Sequence, residues 1–67
     1  GAPPLMQAAL LGNFDTVQLL VEAGADVSTK NAIGFSAIRV AARLGHTDIK
    51  NYLLNIQAIE NRGILSN

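Results

Sequence analysis

His46 is the only histidine of the chain, and Asp48 follows it by two residues. A histidine beside a carboxylate can serve as a general base or a metal ligand, but each role needs company, either a nucleophile in reach or further ligands. The chain has no cysteine and no second histidine to supply them. Ser36 offers a hydroxyl without a histidine at a plausible spacing, and capping of a helix accounts for it. The glycines follow neither the G-x-G-x-x-G nor the P-loop spacing that cradles a phosphate. These residues predict a chain that is not an enzyme and uses no cofactor or metal, with His46 a turn residue. Arg39 and Arg43 are four residues apart, on one face of a helix, and fit either of two descriptions: a clamp for a partner's carboxylate, or solvated helix charges.

The elements that position these groups follow from a repeat. The stretch AARLGHTD, which begins at Ala41, echoes AALLGNFD, which begins at Ala8. Sliding the chain on itself in that one register pairs Gly1 with Gly34, Ala8 with Ala41, Ala9 with Ala42, Leu11 with Leu44, Gly12 with Gly45, Asp15 with Asp48 and Leu20 with Leu53. Each copy reads alike. Leu5, Ala8 and Ala9, like Ile38, Ala41 and Ala42, fall at i, i+3, i+4 and mark a short helix with one buried stripe. Pro4 suits a first helical position and Ser36 a cap. Gly12 and Gly45 stop these helices, and Asp15 or Asp48 opens the next one, where the helix dipole favours a carboxylate. The expected buried face of that second helix is Thr16, Val17, Leu20 and Val21 in one copy, and Ile49, Leu53 and Leu54 in the other. Between the copies, DVSTKNAIGFS is too polar for a core helix, and its Asn31 and Gly34 suit a tight turn. A protruding loop or finger is predicted.

Bulk properties narrow the function classes. Sixty-seven residues make one small domain of marginal stability, and five basic against five acidic residues leave no net field to steer nucleic acid or an anionic membrane. No apolar run approaches the roughly 18 residues of a membrane span, and the N-terminus has no basic region of the kind that precedes a signal sequence. An intracellular protein, cytoplasmic or nuclear, is expected. The chain lacks an initiator methionine, which suggests an excerpt or processed product.

The two copies, G-A-P-P-L-M-Q-A-A-L-L-G-N-F-D-T-V-Q-L-L-V-E-A-G-A-D and G-F-S-A-I-R-V-A-A-R-L-G-H-T-D-I-K-N-Y-L-L, resemble the ankyrin repeat. That family's unit, about 33 residues, has the same period. The resemblance implies an all-α solenoid of stacked antiparallel helix pairs, with a projecting turn or β-hairpin finger between repeats. Repeat one would span 1–33, repeat two 34–61 with an extended last helix stopped at Arg62 and Gly63, and a tail 62–67. Met6 and Arg39 stand where the family places a histidine, and the second copy lacks the G-A-D ending.

The same resemblance implies a protein-interaction or scaffolding module that binds a protein partner through the finger and the concave helix face. The residues so assigned are Ala32, Ile33, Phe35, Arg39, Arg43 and Leu44, continued by Met6, Leu10 and Leu11. Phe35 has a second reading as local packing of the finger, and Leu10, Leu11 and Leu44 a second reading as contacts to neighbouring helices. Lys50 stands where the first copy has Val17, as an ordinary surface lysine or as the mark of a closed end. Met6, Leu10, Leu11 and Phe14 are expected to leave the first repeat apolar on its surface. That predicts stacking on upstream repeats or self-association. The alternative function is structural: a C-terminal cap of a longer array, with no partner of its own.

Overall fold

The computed structural model describes the backbone of residues 4–65 and the side chains of residues 4–61. Within that span four helices form in chain order: α1 (Pro4–Leu11), α2 (Phe14–Glu22), α3 (Ala37–Leu44) and α4 (Thr47–Leu65). α1 packs beside α3 and α2 beside α4, while α1–α2 and α3–α4 are antiparallel hairpins. The result is an all-α arrangement of two helix pairs stacked as two layers. Gly1 and the end of the expected tail, residues 66–67, lie outside the described residues.

The two inner turns are built alike. The Gly12 amide donates to the Ala9 carbonyl and the Asn13 amide to the Ala8 carbonyl; at the equivalent turn of the second copy, Gly45 donates to Ala42 and His46 to Ala41. These bonds satisfy the last carbonyls of α1 and α3, and they require a left-handed residue at the turn. Gly12 (φ 74°) and Gly45 (φ 79°) supply it. Asn13 then caps α2, its Oδ1 accepting from the Thr16 amide at 3.2 Å, and Ser36 caps α3 by accepting from the Arg39 amide at 3.3 Å.

The core is a single cluster of small and branched side chains. Ala9, Val17, Ala41, Ile49 and Leu53 are sealed from solvent, joined by Leu5, Ala8, Val27 and Ala37. Alanines at the α1–α3 contact let the two helices approach closely, so the larger Val17, Ile49 and Leu53 can fill the space between the layers. Phe14 and Tyr52 close the α2–α4 side with ring centroids 5.3 Å apart. Val27, from the polar linker, is the apolar anchor that ties the finger to this core.

Four expectations are corrected. Ala42, expected in the buried stripe of α3, is exposed, because the face that carries Ala37, Val40 and Ala41 inward turns it to solvent. Met6 is buried, at 5% exposure, because it lies under the base of the finger rather than on an open apolar face. Leu54 is 43% exposed, since the helical phase that buries Ile49 and Leu53 turns it outward, and Thr16, Leu20 and Val21 are only half-buried. Gly63 does not stop the last helix, which continues to Leu65. A glycine inside a helix costs about 1 kcal/mol relative to alanine but does not end it without a left-handed turn.

Candidate functional site

The finger is held by one side chain. Asn31 Oδ1 accepts from the Ile33 amide at 3.1 Å and the Phe35 amide at 2.9 Å, while the Asn31 amide donates to the Phe35 carbonyl at 2.9 Å. A single antiparallel bridge between Lys30 and Ser36 closes the finger at its base. At the start of the linker, Asp26 Oδ1 accepts from the Ser28 hydroxyl at 2.7 Å and the Ser28 amide at 2.9 Å. Those two bonds, the hydroxyl's first, stabilise the charged form and hold the Asp26 carboxyl below its ordinary value.

This frame presents apolar side chains to solvent. Ile33 at the fingertip is 74% exposed, and Ala32 beside it is exposed as well. Below it, Leu10 of α1 (53%) and Leu44 of α3 (50%) flank a shallow hollow of about 150 Å³, completed by Phe35, Val40 and Arg43. An adjoining hollow lies among Met6, Gln7, Leu10, Asn31 and Val40. The two share Leu10 and Val40, so they form one continuous surface along α1, α3 and the finger base. Leu11, at the end of α1, is 76% exposed but lines neither hollow.

Phe35 is where the cations gather. The Arg39 guanidinium carbon lies 4.9 Å from the ring centroid and that of Arg43 5.6 Å, both within cation–π range. Phe35, half-buried, therefore joins the finger to the two arginines of α3 and forms part of the wall of the hollow.

Of the residues assigned from sequence, the structure brings Leu10, Phe35, Arg43 and Leu44 around one hollow and sets Arg39 on the same ring. Met6 contributes to the floor of the adjoining hollow, Ala32 and Ile33 form the tip, and Leu11 stands apart. Asn31 and Val40 belong to the surface and are not among the residues assigned to it from sequence. Val40 pairs in register with Gln7 and falls three residues after Ala37, a spacing that places it on the α1-facing side.

His46 sits at the turn between α3 and α4. Its ring lies over Gly12, where a methyl group would come within 2.7 Å of Cε1, and its carbonyl accepts from the Lys50 amide as α4 begins. Among the described residues, no group of three or more histidine, cysteine or acidic side chains is placed to hold a metal ion, and no helix is long and apolar enough to cross a membrane.

Known proteins carry the same features. A sequence profile described as "Ankyrin repeats (3 copies)" matches residues 1–63. The Notch-regulated ankyrin repeat-containing proteins of Homo sapiens and Xenopus tropicalis are each 44% identical over 54 residues, covering 81% of this chain and 47% of theirs. Protein phosphatase 1 regulatory subunit 27 of Homo sapiens is 36% identical over 58 residues, which is 87% of this chain and 38% of that protein. The chain thus spans half or less of the length of these curated relatives. The paired helices, the glycine turns repeated in one register and the matching profile lead to one conclusion: the chain belongs to the ankyrin-repeat family.

Proposed function

We propose that this chain is a non-catalytic interaction module that binds a protein partner through the finger and the inner helix face. One observation carries the reading: half-exposed Leu10 and Leu44 adjoin a finger whose apolar tip is held by Asn31. Clustered exposed apolar side chains are characteristic of contact surfaces, and a preorganised surface loses little conformational entropy on binding. The family's general role in protein–protein interaction supports it, as does a relative named as a regulatory subunit. An intracellular location, cytoplasmic or nuclear, belongs to the same proposal.

A second reading is that the chain mainly caps a longer array. In favour of it, Met6, Leu10, Phe14 and Val17 of the first copy have the polar counterparts Arg39, Arg43, Thr47 and Lys50 in the second. A polar outer face is what an end repeat needs for solubility.

Selection of phage-displayed random peptides on the chain, followed by affinity measurement for variants, separates the two. Loss of about tenfold in affinity in Leu10→Ser and Phe35→Ala, with Leu54→Ser and Ile59→Ser on the outer layer unchanged, supports inner-face binding. A selected ligand that is insensitive to Leu10 and Phe35, or failure to select any ligand, refutes it in favour of the cap. Circular dichroism melts of each variant distinguish lost contacts from lost fold.

A further inference from the structure

The balanced charge of the chain hides a segregation. All five carboxylates lie on the outer helices or on the turn that leaves α2: Asp15 and Glu22 on α2, Asp26 in the turn, Asp48 and Glu60 on α4. The finger from Lys30 to Ser36 and α3 carry Lys30, Arg39 and Arg43 and, with α1, contain no acidic residue; Asp26, at the start of the linker, lies at the other side, beside Pro4, Leu5 and Ala37. The inner surface is therefore cationic in a molecule whose formal net charge is zero.

The two arginines are placed to use that charge. Both guanidiniums sit within 5.6 Å of the Phe35 centroid, and Arg43 also forms one wall of the hollow between Leu10, Val40 and Leu44. The N–H donors of a guanidinium lie around its edge, so a group held over a ring keeps donors free for a planar acceptor. No carboxylate among the described residues pairs with either arginine. The hollow itself, at about 150 Å³, is close to the size of cavity that accepts a benzene-sized apolar group.

We propose that the inner surface takes an acidic peptide segment in which a leucine-, isoleucine- or phenylalanine-like side chain neighbours an aspartate or glutamate. The apolar side chain fills the hollow and the carboxylate pairs with Arg43 and Arg39. This rests on the reading that the inner face binds a protein partner, and it adds which chemistry that partner presents.

The test uses peptides selected on the intact chain from a random phage-displayed library, then synthesised with a fluorescein label in three forms: the selected sequence, its Glu/Asp→Gln/Asn counterpart, and one with phosphoserine at the acidic position. The expected result is enrichment of an acidic residue within two positions of an apolar one, and about tenfold weaker anisotropy-measured binding of the amide form. That difference shrinks as salt is raised and vanishes in an Arg39→Gln, Arg43→Gln double variant whose circular dichroism is unchanged. An Arg39→Glu, Arg43→Glu variant selects lysine- or arginine-containing peptides instead. Selected ligands with no acidic preference, equal binding of the amide form, or binding of the phosphoserine form alone overturns the proposal while leaving the interaction reading intact. Failure to select any peptide counts against the interaction reading itself.

Discussion

Gly12 and Gly45 offer a matched comparison within one molecule. Both end an inner helix with nearly the same φ, at equivalent positions of the repeat, but a methyl group at Gly45 meets nothing within 4 Å while one at Gly12 comes within 2.7 Å of His46 Cε1. Alanine in the left-handed region costs about 1–2 kcal/mol, and this applies to both sites. At Gly12 the His46 ring must also leave its place, and an off-rotamer side chain costs about 0.5–1.5 kcal/mol more. Gly12→Ala should therefore destabilise by about 1.5–3.5 kcal/mol and Gly45→Ala by about 1–2 kcal/mol. At roughly 0.05–0.15 kcal/mol per residue the whole domain has only about 3–10 kcal/mol, so the difference is large enough to measure. Urea unfolding followed by circular dichroism gives both values, and an excess of about 1 kcal/mol corresponds to about 4–8 °C in Tm. A His46→Ala background removes the obstruction and should bring Gly12→Ala down to the Gly45→Ala value. Equal losses in the two single variants, or an excess that persists without His46, would refute the assignment of His46 as the side chain that the bare turn accommodates.

Other perturbations follow from the same contacts. Asn31→Ala should loosen the finger, with faster amide exchange at Ile33 and Phe35 and a loss of about 1 kcal/mol, because two mostly solvent-accessible amides lose one acceptor. Ile49→Ala should cost about 2–5 kcal/mol, enough to unfold much of the population, whereas Leu54→Ser should stay within about 0.5 kcal/mol; calorimetry distinguishes a sealed from an exposed position. The folded-state lowering of Asp26 contributes stability that is fully present above its ordinary value of 3.8 and is lost as the pH falls through its lower folded value. Ser28→Ala, which removes the hydroxyl bond and keeps the amide one, should raise the Asp26 titration midpoint, as read by NMR, and an unmoved midpoint excludes the Ser28 hydroxyl as the main cause.

The framework is readable in the sequence because each signal has one local cause. Glycine at the turns, serine at the α3 cap and asparagine in the finger act through bonds to residues no more than about five positions away, and the turn glycines recur from one copy to the next. The surface is less readable, because exposure depends on what packs across the layers. Leu11 and Leu44 match in register yet both face solvent, whereas Met6, without an apolar counterpart, is buried under the finger base. Leu54 sits beside Leu53 in sequence, and only the phase of α4 against α2 decides which enters the core. The helical continuation through Gly63 is not legible, because a glycine stop needs a left-handed turn and composition alone does not tell whether the chain takes one. Phe35 carries the two arginines of α3 on its ring, a contact that sequence spacing alone does not reveal.

The size of the apolar surface explains why the cations matter. A fully buried leucine or isoleucine gains about 1.5–3 kcal/mol, so Leu10, Leu44 and Ile33, half to three-quarters exposed, gain together about 3–5 kcal/mol when a partner covers them. Association itself costs about 4–15 kcal/mol, so these three side chains at best offset the lower end of that range. A partner that offered only apolar contacts here would bind at millimolar strength or weaker. Hydrogen bonds to a charged group contribute about 1.5–3 kcal/mol each, and Arg39 and Arg43 stand beside the hollow with no carboxylate of the described residues to occupy them. Two such bonds add about 3–6 kcal/mol, which brings the most favourable balance to about −7 kcal/mol, a Kd of about 10 μM, provided the ligand brings its acid and its apolar group on adjacent positions. Asn31 bonds hold the backbone of Phe35, and Arg39 and Arg43 gather on its ring, so the acid and the apolar group of a ligand must be spaced to reach the guanidiniums and the hollow together.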